Sequence, residues 1–278
     1  MATTDQPGDS VYIHGAAPSE QERLSCLNQL LNGGSVREVA PRDGERLIDF
    51  GAGLGQLTRE LARRTGRSDH LGLERSAEQI ARARALAAEA GEAELVEFRA
   101  GDVLDPPLRA EEWGRFDLAH ARFVLEHVPE PLAVVRQMVA AVRPGGRIVL
   151  QDDDHDLLRC WPEPPGFAAL WHAYVRVADD HGNDAFVGRR LVTLLHRAGA
   201  IPRRSTMIFF GGCAGSPELE MMVGNVVELF HGVREQMQAR SLIDAADYDA
   251  AVASFRAWGQ RPDVGFWYAV PWVEGIRP

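Results

Sequence analysis

A short apolar run, Leu47, Ile48 and Phe50, is interrupted by Asp49 and followed at once by Gly51-Ala52-Gly53-Leu54-Gly55. The run reads as a buried strand after the polar turn Arg42-Asp43-Gly44-Glu45, and residues 56–64 continue with helical spacing. Strand, glycine turn and helix together form the phosphate- or nucleoside-binding corner of an open parallel sheet. Glycine is needed there because a ligand approaches the backbone closely and the turn calls for positive φ. The spacing is not the dinucleotide fingerprint G-x-G-x-x-G, since Gln56 stands where its third glycine would be.

What stands instead is D-x-G-x-G-x-G, with Asp49 ahead of Gly51, Gly53 and Gly55. Two further acids close strands in the same way. The short apolar stretch 70–74 ends in Glu74, followed by Arg75, and the stretch 94–99 leads into Gly101-Asp102-Val103. A fourth strand at 116–121 contains His120 and runs into Arg122-Phe123-Val124-Leu125-Glu126-His127, then Pro129 and Pro131. A helix to about 142, the turn Arg143-Pro144-Gly145-Gly146 and a fifth strand at 147–150 follow.

This succession over about 45–155 resembles the class I S-adenosyl-L-methionine (SAM)-dependent methyltransferases, in their ubiquinone/menaquinone-type (methyltransferase type 11-like) small-molecule branch. The resemblance implies an α/β fold: a doubly wound, mostly parallel seven-stranded sheet with an N-terminal helical lid and C-terminal helical additions. It implies SAM as cofactor and S-adenosyl-L-homocysteine as product. It also implies roles along one sheet edge. Asp49 holds the amino-acid end of SAM, and Gly51, Gly53 and Gly55 pass beneath its ribose and methionine. Glu74, with Arg75 beside it, takes the ribose hydroxyls. Asp102 and the Val103 amide read the adenine, and His120 touches the cofactor. His127 is expected to be structural.

The fifth strand ends in Gln151-Asp152-Asp153-Asp154-His155-Asp156. Period two puts Asp152 and Asp154 on one face, Asp153 and His155 on the other. Three readings stay open. The run is a loop whose acids cap a helix or pair with arginines; or it is a polar wall with His155 as general base, Asp153 and Arg122 orienting a substrate; or it is a divalent-metal site. No second ligand cluster at recognised spacing supports the metal, and none is assigned.

Around this frame the expectations are plainer. Residues 1–40 read as a polar tail and a helix at 19–31, capped by Ser19 with Glu22 and striped by Leu24, Leu27, Leu30 and Leu31. That helix is either an outer packing helix or a lid with Tyr12 folded over SAM. Residues 41–278 form the catalytic domain, with a helical insertion at about 211–262 before the last strand. Helices are expected at 167–181, 188–199, 217–240 and 244–258, and strands at 203–210 and 265–270.

The net charge of −10 disfavours a nucleic-acid surface. The 30 basic residues are all Arg, which excludes lysine chemistry and suggests a GC-rich bacterial coding sequence. Neither the N/D-P-P-Y/F arrangement for base amines nor a Pro-Cys pair occurs. Cys26, Cys160 and Cys213 match neither a disulfide frame nor zinc spacing and read as buried reduced thiols. No apolar run approaches ~18 residues, and residues 1–10 lack a signal-peptide core. The expectation is a cytoplasmic enzyme that methylates a small molecule at oxygen, nitrogen or carbon, with no membrane or nucleic-acid partner and a homodimer as one open arrangement. The rival readings are a SAM-binding protein of this fold without methyl transfer, and a metal-assisted C-methyltransferase of an enolisable acid.

Overall fold

A computed structural model describes residues 31–180 and 182–278. Five strands run parallel: β1 (Leu47–Phe50), β2 (His70–Glu74), β3 (Val96–Ala100), β4 (Phe116–Arg122) and β5 (Val142–Gln151). Three more follow: β6 (Arg159–Trp161), β7 (Ile201–Cys213) and β8 (Gly265–Ile276). The order is β3-β2-β1-β4-β5-β8-β6, with β7 also paired to β8. β8 runs antiparallel to β5, β6 and β7. Among the described residues the sheet therefore has eight strands rather than the expected seven. The extra one, β6, resumes the β5 side of β8 after the chain has looped out through residues 152–158.

Alternation along the strands explains the two covered faces. Ile48, Phe50, Leu71, Leu73, Ile148 and Leu150 share one core with α4 (Pro131–Ala141) and α6 (Leu191–Arg197). Leu47, Leu118 and Val149 point the other way. They pack with the helix ending at residue 39 (α1) and with α2 (Gln56–Arg63). α3 (Ala77–Glu89), capped by the Ser76 hydroxyl accepting from Gln79 N–H, covers β3.

A second apolar core lies beyond β8. It joins α5 (Phe167–Asp180), α7 (Pro217–Gly232), α8 (Arg234–Ala239) and α9 (Ala245–Trp258) around Phe230, Tyr248 and Phe255. No described helix is long and apolar enough to cross a membrane.

Several expected boundaries move. The helix expected at 217–240 breaks at Val233 into α7 and α8. The strand expected at 203–210 spans Ile201–Cys213, and that expected at 265–270 continues to Ile276, because the two pair along nearly their whole length. The expected helix at 19–31 lies outside the described residues except for its end, and helix continues there to residue 39. Gly33 and Gly34 do not end it. A Cβ on Gly34 would sit 2.6 Å from Ile208 Cγ2, so this glycine serves close packing of α1 on β7. Cys160 is buried, and burial pushes its thiol up to about 12. Cys213 is exposed, against expectation, because it ends a strand at the sheet margin. Cys26 lies outside the described residues.

Candidate active site

The parallel strands deliver their carboxyl ends to one edge. Gly51, Gly53 and Gly55 all have positive φ, at 78°, 55° and 69°. Gly51 and Ala52 both donate to Leu73 O, at 2.9 and 2.7 Å, which ties the loop to β2. A Cβ on Gly55 would strike the Phe98 ring at 2.3 Å, and one on Gly51 would strike Val124 Cγ2 at 2.4 Å. Two of the three glycines are thus required by packing as well as by φ.

Asp49 is buried beneath this loop. Its Oδ2 accepts from the Thr58 hydroxyl at 2.5 Å, and its Oδ1 lies 2.8 Å from His120 Nδ1. His120 is fully buried, so its side chain supports Asp49 from below; its Nε2 has no hydrogen-bond partner among the described residues. Glu74 reaches back to the loop. Its Oε2 accepts from Gly53 N–H at 3.1 Å and its Oε1 from Ser76 N–H at 2.9 Å. Each oxygen keeps a second lone pair for a ligand hydroxyl. Asp102 is exposed and uses Oδ1 in a turn to Leu104 N–H, at 2.8 Å; Val103 beside it is half-buried and Arg75 is exposed. The structure therefore gathers Asp49, the three glycines, Glu74, Asp102, Val103 and His120 along one edge. Tyr12 lies outside the described residues.

Arg122 closes β4 but is engaged elsewhere. Its Nη1 donates to Asn32 Oδ1 at 3.0 Å and to Ser35 Oγ at 3.2 Å, both on α1. Burial pulls it down to about 10 against the raising pull of Asp49, Glu60 and Asp153. Its observed work is to fix α1 to the sheet edge.

The acidic run divides by function once folded. Asp152 Oδ2 accepts from Val124 N–H (3.1 Å) and Leu125 N–H (2.8 Å), locking the loop after β4 to the loop after β5. Burial and the Asp153 charge hold its carboxyl above the usual range, against those amides. Asp154 and Asp156 are taken up by Arg189. For Asp154 and Asp156 the loop-and-arginine reading holds.

Asp153 and His155 differ, and a third residue joins them. His155 Nε2 lies 3.6 Å from Asp153 Oδ2 and 3.7 Å from Glu126 Oε2. Ligand atoms of Glu126, Asp153 and His155 all fall within 4.8 Å of one another. Burial first, then the charges of Asp153 and Asp152, raises the Glu126 carboxyl well above the ordinary range. Tyr268 donates its hydroxyl to Asp153 Oδ1 at 2.8 Å, and burial together with that aspartate pushes the phenol far up. The His155 ring stacks on Tyr174 at 5.7 Å and 8°, with Trp171 tilted at 5.5 Å. His127, adjoining Glu126, is held down at about 4 chiefly by burial, in keeping with a structural imidazole.

Glu126, Tyr268, Trp171 and Tyr174 were not legible as site residues. Glu126 carried one signal, its place in the loop straight after a strand of the ligand edge. The aromatics read as core because helical spacing and buried aromatics look alike in sequence.

The methyltransferase domain family matches residues 27–200. Tocopherol O-methyltransferase of Arabidopsis thaliana is 31% identical over 144 residues, 52% of this chain and 40% of that protein. The match thus spans less than half of that relative's length. The 27-O-demethylrifamycin SV methyltransferase of Amycolatopsis mediterranei is 28% identical over 269 residues, 93% of this chain and 88% of that one. Among solved structures, geranyl diphosphate methyltransferase in complex with SAM superposes with a TM-score of 0.54 at 16% identity, covering 98% of this chain and 96% of that one; this likeness shows the fold. With the glycine corner, the acid at the end of β2 and a family match over more than half of its length, the chain belongs to the methyltransferase domain family, built on the class I SAM-dependent fold.

Proposed function

We propose that this protein transfers the methyl group of SAM to a hydroxyl oxygen of a small-molecule acceptor. One contact carries the reading. Gly51 of the cofactor loop packs directly against Val124, two residues before Glu126, so the cofactor corner and the Glu126–Asp153–His155 cluster are neighbours on one edge. Both named relatives act at oxygen by name, which favours oxygen over nitrogen or carbon.

The sulfonium of SAM makes its methyl group electrophilic without help from the protein. What the chain must supply is alignment of the acceptor with the S–CH3 bond, exclusion of water, and removal of the hydroxyl proton. Glu74 and the glycine corner hold the nucleoside end, and Asp102 with the Val103 amide lies where adenine would be read. The cluster of Glu126, Asp153 and His155 receives the acceptor hydroxyl, with Trp171, Tyr174 and Tyr268 as its apolar and positioning wall. Three carboxylates, Glu126, Asp152 and Asp153, lie at this cluster. That suits a neutral acceptor and disfavours an anionic one. The net charge of −10 likewise favours a small molecule over nucleic acid. We place the reaction in the cytoplasm, where SAM is made.

The test is incubation with methyl-labelled SAM and a panel of neutral phenols and alcohols. Label in product, matched one for one by S-adenosylhomocysteine, is expected. SAM that binds and is never consumed across the panel would instead favour the binding protein without transfer.

A further inference from the structure

Potential metal-ligand atoms of three residues converge in the cluster at the ends of β4 and β5. Glu126 is buried, 8% exposed, and its carboxylate accepts no hydrogen bond from any described residue. Its nearest polar neighbours are two imidazoles, His127 Nε2 at 3.4 Å and His155 Nε2 at 3.7 Å. Asp153 gives Oδ1 to Tyr268, which leaves Oδ2 turned toward His155 at 3.6 Å. Three lone-pair-bearing atoms, two carboxylate oxygens and one imidazole nitrogen, thus converge within 4.8 Å without a hydrogen bond among them. Buried polar groups of this kind are ordinarily satisfied, and an unpaired buried charge is costly. Among the described residues Arg189 is committed to Asp154 and Asp156, and Arg122 donates to Asn32 and Ser35.

We propose that Glu126, Asp153 and His155 bind one divalent metal ion. The proposal deepens the methyl-transfer reading and rests on it for what the ion does, though not for whether it binds. Two carboxylate oxygens with one imidazole suit a hard-to-borderline ion such as Mn2+ or Zn2+. The separations of 3.6 and 3.7 Å from His155 Nε2 to Asp153 and Glu126 are within the span that one ion bridges at about 2.0–2.2 Å from each ligand. The ligands are also held in advance. Tyr268 orients Asp153, Tyr174 and Trp171 fix the His155 ring, and Asp152 ties the two supporting loops together. Three protein ligands leave coordination positions open, and the acceptor oxygen takes one of them. An ion there lowers the pKa of that hydroxyl and holds the oxyanion for attack on the methyl group. The proton leaves to solvent, and His155 acts as ligand rather than as free base. The sequence hid this site because its third ligand, Glu126, comes from a different strand end.

The test uses the full chain, stripped with chelator, dialysed and titrated with Mn2+ and separately with Zn2+ by calorimetry, with Mn2+ paramagnetic resonance as a second readout. One ion per chain is expected. Glu126→Gln and Asp153→Asn, each checked for an unchanged thermal transition, should weaken binding at least tenfold. Asp156→Asn, which alters an exposed acid of the same run, should leave it unchanged. The proposal is overturned if neither ion binds saturably to the folded chain, or if Glu126→Gln and Asp153→Asn bind as tightly as the parent. Turnover measured on the same stripped samples separates the two claims. Methyl transfer without any bound ion overturns the ion's part in the reaction and keeps the transferase.

Discussion

Asp49 and His120 meet as carboxylate and imidazole at 2.8 Å, both fully enclosed beneath the glycine corner. Thr58, on α2, donates to the other carboxylate oxygen, so Asp49 ties β4 to α2. His120→Ala leaves a buried carboxylate with one partner fewer. The expected cost is about 1–3 kcal/mol of stability, with weaker SAM binding. Denaturant unfolding with and without SAM checks it; an unchanged midpoint contradicts it.

Glu74, which we propose takes the ribose hydroxyls, also accepts from Gly53 N–H. Glu74→Ala should weaken SAM binding roughly ten- to hundredfold, the loss of about 1.5–3 kcal/mol, while the protein stays folded. Calorimetry showing unchanged SAM affinity, or a preference for NAD, would remove SAM from this corner.

A pH effect is expected at the end of β3. Arg99 donates to both oxygens of Glu112, at 2.8 and 3.0 Å, and holds that carboxyl at about 2, below its ordinary 4.5. A folded pKa below the unfolded one means stability that is present above about 4.5 and lost as pH falls toward 2. Arg99→Ala should cost about 2–3 kcal/mol at pH 7 and flatten the fall in stability between pH 4.5 and 2. Unfolding curves at three pH values decide it, and an unaltered slope counts against the pairing.

Gly34 sets two effects against each other. Alanine gains about 1 kcal/mol in a helix, but its Cβ would lie 2.6 Å from the buried, stiff Ile208 side chain. Overpacking costs about 1–3 kcal/mol, so Gly34→Ala should lower the melting temperature. A rise would show that α1 can shift away from β7.

What could be read in advance followed chain locality. Asp49, the three glycines and Glu74 form a pattern within single strand–turn–helix units, and the structure gathers them at one edge as that pattern implied. Glu126 and His155 lie in the turns after β4 and β5, two strands that pair only after folding, and neither has a spacing that points to the other. The same holds for Tyr268, which reaches Asp153 because β8 returns antiparallel beside β5. Period two set Asp154 on the face opposite Asp153 in sequence, but gave no partner for it. Arg189 separates them, and it arrives from the turn before α6. Helix runs through Gly34, and only the approach of Ile208 shows why a glycine sits inside it.

The most direct measurement is a crystal structure with S-adenosylhomocysteine bound. The account predicts adenine at Asp102 and Val103, ribose at Glu74, and the methyl-bearing side of the sulfur opening toward Glu126, Asp153 and His155. There should be room between them for one acceptor oxygen about 3 Å from the methyl position. A sulfur that opens onto any other wall, or a ligand seated away from the Gly51–Gly55 corner, would contradict it.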